Sequence, residues 1–170
     1  MWRNLAAGKG GITMQVESPK LRLLAHDGDD VAVLSALLQD AIIPGSDMSF
    51  DRKLNEFVIV ANRFCWELEP LVNVKSSDGK PIYERHLCGI RIAHVRSVQH
   101  HNWPELRQNE LFNLLALGLI DMAEKARDGA LLQFDFSGGS SLRLNVDDVD
   151  IVLADLDVGH PTSLQPAQQL

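Results

Sequence analysis

The chain has 170 residues, 45 % of them apolar, and a formal charge of -7. That is enough for one domain with a sizeable core, and it argues against disorder. The acidic balance argues against a broad nucleic-acid footprint and against an anionic membrane surface as partner. The longest near-continuous apolar run, Leu111 to Ile120, is about half of the roughly 20 residues a membrane-spanning helix needs. Two cysteines, Cys65 and Cys88, form no motif, and both lie in strand-like runs where a small buried thiol is the usual role. Nothing in the pattern suggests export, so the expected location is cytoplasmic.

Residues 1–18 are poor in apolar side chains and loosened by Gly8, Gly10 and Gly11, so a disordered N-terminal extension is expected. Gly8-Lys9-Gly10-Gly11 lacks the ending of a phosphate loop. Leu21 to Ala25 reads as a short strand. His26-Asp-Gly-Asp-Asp30 then opens a helix, with Asp27 as N-cap and Asp30 three residues on, where a carboxylate suits the helix dipole. Val31, Leu34, Leu37 or Leu38, and Ala41 follow at helical spacing. These aspartates do not match a calcium loop.

Asp47 to Asp51 is expected to be a strand, and Arg52 to Asn55 a polar turn. Phe57 to Glu67 is the most strand-like run, apolar on both faces up to Ala61 and then broken by Asn62-Arg63. Beyond the break, alternation places Arg63, Cys65 and Glu67 opposite Phe64 and Trp66, so Trp66 is expected in the core and Arg63 outward. Leu87 to Val98 is strand-like but changes phase, which asks for a bend near Ala93-His94. Leu111 to Ile120 fits a helix or a buried strand.

Leu131 to Val146 reads as a hairpin around Ser137-Gly-Gly-Ser140. A three-residue loop, Gly138 to Ser140, sets Phe136 opposite Leu142, Phe134 opposite Leu144 and Asp135 opposite Arg143. Val149, Val152, Leu153 and Leu156 stand at i, i+3, i+4 and i+7, the spacing of a C-terminal helix. Strand, aspartates and apolar helix would then echo the N-terminal unit. The domain expected is 19–160, followed by a flexible tail, 161–170.

Several blocks together resemble a known family. They are Leu38-Gln-Asp-Ala41, Asn62-Arg-Phe-Cys-Trp-Glu67, Tyr83-Glu-Arg85, Val95-Arg-Ser97, Asn113-Leu-Leu-Ala116 and the Gly-Gly hairpin. Their order, from about Leu21 to Asp157, is similar to that of an alphaproteobacterial uncharacterised family, labelled domain of unknown function 2948. Asn-Arg-Phe-x-Trp-Glu is the most specific of them. The resemblance implies a strand at Leu111 to Ile120. It implies no activity, cofactor or catalytic residue.

The fold expected is α+β: a mostly antiparallel curved sheet or partly open barrel, with an N-terminal strand-helix unit and a C-terminal helix. That element order is pleckstrin-homology-like by analogy alone; a two-layer sandwich is the alternative. No catalytic or metal constellation is legible. His100 and His101 point to opposite faces of one strand, and no zinc-ligand spacing accompanies them. Asn62 and Arg63, with Glu67 as the arginine's carboxylate, are the candidate binding residues, because a polar pair inside an apolar run is a local inconsistency. The competing explanation is a bulge with a structural Arg63–Glu67 pair. The function expected is a non-catalytic binding or scaffold domain with a protein partner, without cofactor, nucleic acid or membrane. The alternative is a small enzyme or small-molecule-binding protein holding an anionic ligand near Arg63.

Overall fold

The computed structural model describes residues 2–5, 14–17, 19–71, 75–120 and 129–166. Within the stretch expected to be disordered, the backbone of β1 (Trp2–Leu5) pairs antiparallel with β2 (Met14–Glu17). The rest of 1–18 lies outside the described residues, as does 167–170 of the expected tail. No helix among the described residues is long and apolar enough to cross a membrane.

β3 (Arg22–Ala25) leads into α1 (Gly28–Leu38). The helix starts where the aspartates require: Asp27 accepts from the Asp30 N–H at 2.9 Å, and Asp30 accepts from the His26 N–H at 2.9 Å. Two orphan donors are thereby satisfied reciprocally. β4 (Ile42–Pro44), β5 (Met48–Asp51), β6 (Glu56–Phe64) and β7 (Tyr83–Ile92) follow. Then come β8 (Val95–His101), β9 (Leu111–Ile120), β10 (Ala130–Phe136) and β11 (Ser141–Val146). The last strands are β12 (Ile151–Asp155) and β13 (His160–Thr162). Leu111 to Ile120 is thus a strand.

β3 to β13 form one open, antiparallel sheet in the order β3-β12-β7-β6-β4-β9-β10-β11-β8, with β5 beside β6 and β13 beside β7. β7 and β8 are far apart in that order, yet only Ala93-His94 separates them in the chain. His94 turns the corner at φ 58°, and its carbonyl accepts the Asp147 N–H at 3.0 Å. The expected bend is this corner. It folds the sheet so that inner-face residues such as Ile59, Ile90, Leu153, Phe134 and Leu144 share one core. α1 adds Val31, Leu34 and Leu38 to it. The helix also covers the edge of β9 that β4 leaves unpaired: the Leu117 N–H donates to Ser35 Oγ at 2.9 Å. A covered edge cannot recruit another chain.

Two expectations are corrected. Residues 147–157 do not form a helix. Ile151, Leu153 and Asp155 are buried alternately, and β12 lies between β3 and β7. The same residues carry a period-two pattern, Val149, Ile151, Leu153, and the vacant sheet position decides between the two periods. With no C-terminal helix among the described residues, neither the pleckstrin-homology-like order nor the internal echo has support. The hairpin loop is also displaced from the expected Gly138 to Ser140. Asp135 opposes Ser141 and Phe134 opposes Leu142, and the Phe136 N–H donates to the Ser140 carbonyl at 2.9 Å, so the three-residue loop is Ser137–Gly139. Gly138 and Gly139, at φ 82° and 85°, hold two consecutive left-handed positions. The slip is two residues, so every face assignment survives. Arg143 opposes Gln133 rather than Asp135, and its Nε donates to Gln133 Oε1 at 2.7 Å.

Phe134 is fully buried and Gln133 is on the opposite face. Phe134→Ala is expected to cost about 3–5 kcal/mol and Gln133→Ala roughly 0.5 kcal/mol or less, read by urea denaturation. Equal losses would refute the face assignment.

Candidate functional site

Three neighbouring strands change character at the same end. On β6 the inward row is Phe57, Ile59, Ala61, Arg63. On β7 it is Ile92, Ile90, Cys88, His86, Glu84, and on β12 it is Ile151, Leu153, Asp155. The register aligns Ile59 with Ile90 and Leu153, Ala61 with Cys88 and Asp155, and Arg63 with His86. The row of β12 turns ionisable at Asp155, beside Cys88, and those of β6 and β7 one inward position further on, at Arg63 and His86, so the core of this part of the sheet ends in buried charge.

Arg63 is its centre, at 1 % exposure. Its Nε donates to Asp155 Oδ1 at 2.8 Å and its Nη2 to Asp155 Oδ2 at 2.8 Å. Nη1 and Nη2 also donate to the two Glu67 carboxylate oxygens, at 3.0 and 2.8 Å. Both carboxylates are thus gripped by a planar fork, the arrangement that arginine alone supplies. Asp155 Oδ2 also accepts the Leu21 N–H at 2.8 Å, which ties the start of β3 to the end of β12. Burial by itself would lower the Arg63 pKa, but the hydrogen bonds to Asp155 and Glu67 outweigh it and raise it above the ordinary arginine value. Burial likewise opposes charge on Asp155, yet the hydrogen bonds from Arg63 and the Leu21 N–H hold its carboxyl below the usual range.

His86, fully buried, sits beside this pair. Its Nδ1 is 3.3 Å from the Asp157 carbonyl oxygen, 3.4 Å from Asp157 Oδ1 and 3.8 Å from Asp155 Oδ2. Its Nε2 has no hydrogen-bond partner among the described residues and faces Gly159, where a Cβ would stand 2.7 Å away. Gly159 is at φ 86°, so both backbone and space exclude a larger residue there. Asp157 Oδ2 lies 2.6 Å from His160 Nε2 at the rim. Cys65 and Cys88 are free and buried, and burial pushes both thiols up to about 12. Neither is a thiolate at neutral pH.

Of the predicted site residues, Arg63 and Glu67 are brought together and Asn62 is turned to the other face. The expected outward Arg63 is corrected: it continues the inward row that Phe57 begins. Trp66 is half-buried rather than a core anchor, donating its Nε1–H to the Gln39 carbonyl at 2.9 Å. Sequence reasoning missed Asp155, placed in a helix, and passed over His86. Period-two reading of Tyr83 to Ile92 would have found His86 on the row of Cys88 and Ile90.

The outer face of the same strands is different. Leu24, Val152, Ala154, Leu156, Leu87, Gly89, Val58 and Val60 lie on it, as the registers require. Leu24 is 52 % exposed, Leu156 55 % and Leu87 39 %. Arg22 and Arg91 stand among them, Arg91 bound to Glu56 at 2.6 Å. At the Arg63 end the face turns polar: Asn62 and Asn113 both flank Ile42, and Arg85 lies over the Phe64 ring.

A family model described as "Protein of unknown function (DUF2948)" matches residues 21–168. The chain belongs to that family. No curated protein and no solved structure matches it. The span matched to DUF2948 begins at Leu21, whose N–H completes the Asp155 site, and takes in both faces of the sheet.

Arg63→Ala is expected to destabilise by about 3–5 kcal/mol, since it strands a buried carboxylate. Arg63→Lys would recover little, because one ammonium cannot fork to both partners. The Asp155 contribution has a definite sign. Its folded pKa is depressed, so the stability is complete above pH about 4 and is lost as pH falls through the lowered value. Asp155→Asn should lower stability at pH 7 and flatten the acid limb of a stability–pH curve. An unaltered acid limb would assign acid unfolding to other carboxylates.

Proposed function

We propose that this protein is a protein-docking domain whose contact surface is the outer face of β3, β12, β7 and β6. The observation that supports it most is the exposure of Leu24, Leu87 and Leu156 together on one sheet face. Contiguous apolar surface of this kind, with polar groups at its margin, is a usual mark of an interaction site. Val58, Val60, Val152 and Ala154 extend it as half-buried neighbours. The partner that fits has apolar anchors flanked by carboxylates, since Arg22 and Arg91 are the cations set into the patch while the chain as a whole carries -7. Arg91 is already held by Glu56, which leaves Arg22 as the steering charge. Charges at such a margin act mainly on encounter and register.

An anionic ligand at Arg63 has less to support it. Four of the guanidinium's five donor hydrogens are directed at Asp155 and Glu67, so an incoming anion would have to displace a carboxylate.

The test is retention of partners from the native extract by wild-type protein and by the double variant Leu24→Asp, Leu156→Asp. Both side chains are more than half exposed, so the melt should move by no more than roughly 1 kcal/mol of stability, while a partner retained by the wild type is lost. A partner held equally by both proteins, or none held by the wild type, rejects the reading.

A further inference from the structure

The histidine pair that ends β8 borders a cleft of about 250 Å³, lined among the described residues by Gln99, His100, His101 and Arg143. β8 is the last strand on its side of the sheet, so no further strand shades this margin. The register decides which side chains share the cleft. Gln99 opposes Arg143 and His101 opposes Ser141, while His100 opposes Leu142, which is fully buried. Gln99, His101 and Arg143 therefore stand together on the exposed outer face, and the His100 ring turns inward, its centroid 4.7 Å from that of Trp103. Opposed side chains on one face lie about 5 Å apart at Cβ and diagonal ones about 7–8 Å, so these three can reach one small ligand. Each of them brings hydrogen-bond donors. Arg143 Nε donates to Gln133 Oε1 at 2.7 Å, and Gln133 Nε2 donates to Asp135 Oδ1 at 2.8 Å. The guanidinium is thus oriented through Nε, and its Nη1 and Nη2 make no hydrogen bond or ion pair with the described residues. Asp135 is on β10, beyond Arg143 and two strands away from His101. No carboxylate among the described residues lines the cleft. A positive potential already acts at this strand: burial and then the Arg107 guanidinium lower the His100 pKa. On a chain of formal charge -7, this margin offers donors and asks for an anion.

We propose that this cleft binds a phosphate group, carried by inorganic phosphate or by a small phosphomonoester, between Arg143, His101 and Gln99. The two Nη groups make the forked contact that arginine gives to phosphate oxygens. The His101 ring offers an N–H whether neutral or protonated, and the Gln99 amide offers another. Three groups thus meet the three terminal oxygens of a phosphomonoester. A carboxylate, with two oxygens, matches this set less well. The site is separate from the docking face proposed above and does not depend on it.

The experiment is a chemical-shift titration of the full chain, read at backbone amides and arginine Nε–H, at fixed ionic strength. Inorganic phosphate and glycerol 3-phosphate are the probes, with acetate and 1,4-diaminobutane as carboxylate and cationic controls. Saturable shifts confined to Gln99 to His101, Ser141 to Arg143 and the Arg143 Nε–H are expected with the phosphates and not with the controls. The tighter of the two phosphates names the source. Arg143→Gln removes the fork from an exposed side chain, so it should keep the fold and weaken phosphate about tenfold. His101→Ala should weaken it several-fold. Lys53→Gln, a cation removed from the turn before β6, should leave the affinity unchanged. Shifts spread over the exposed lysines and arginines, or equal losses from Arg143→Gln and Lys53→Gln, would overturn the proposal as general attraction of anions. Acetate binding as tightly at the same amides would overturn the choice of phosphate. No saturable shift with either phosphate would overturn the site itself.

Discussion

Two carboxylates on one buried guanidinium hold this sheet in register. Asp155 is the last residue of β12, and Arg63 lies near the end of β6, with β7 between them. The fork from Arg63 to Asp155 therefore spans a strand that it does not belong to, and the second oxygen of Asp155 reaches β3 through the Leu21 N–H. Four strands are fixed by one carboxylate. A one-residue slip of β6 or β12 would put Arg63 or Asp155 on the outer face and leave the other charge buried alone, a loss far larger than that of one neutral hydrogen bond. Apolar rows alone would tolerate a slip of two residues, because the faces are then preserved. The charged layer removes that freedom.

The sheet needs this constraint because its strand order is so discontinuous. β7 and β8 form nearly one run of chain, yet they occupy distant places in the sheet, and β11 and β12 repeat the pattern four residues apart. Such a sheet folds about its corners, where His94 at positive φ, the bond from the Asp147 N–H to the His94 carbonyl and the bond from the Val95 N–H to the Asn55 carbonyl stand in for ladder pairs. Pairings between strands far apart in the chain form late in folding, since loop closure precedes their reward. A specific long-range ion pair, such as Arg63 with Asp155, selects the correct pairing once the apolar rows have met.

Local patterns were legible in the sequence wherever a single element determined them. The Asp27 and Asp30 cap, the turn at Arg52 to Asn55, the bend at Ala93-His94 and the faces of Phe134 and Leu142 follow from side-chain chemistry within a few residues. The place of the hairpin loop was not legible, because a three-residue loop at 137–139 or at 138–140 keeps the same faces. The helix expected after Asp147 failed for a tertiary reason: the segment carries both periods, and only the vacancy between β3 and β7 selects one. That single error hid Asp155, and with it the reason for Arg63 to be buried. The site was half visible, since the Arg63–Glu67 pair is local, whereas Asp155 is 92 residues away.

The block Asn62-Arg63-Phe64 divides its work by strand geometry. Alternation sends Arg63 to the inner layer and Asn62 and Phe64 to the other side, where Phe64, itself buried, meets the Trp66 ring at 4.6 Å and the Tyr83 ring at 5.4 Å, both tilted. Trp66 in turn donates its Nε1–H to the Gln39 carbonyl, just past the end of α1. The block thus connects the ionic interior to the end of α1 through Phe64 and Trp66. Glu67 closes the connection from the other side: it follows Trp66 and grips Arg63. The position of Trp66 is fixed at both ends, by a fork of buried charge and by the end of α1. The polar break in the most apolar strand is therefore a structural joint. Its inner residue fixes the register of the sheet, and Phe64 on the other side carries the ring contact to Trp66, which is bonded to the end of α1.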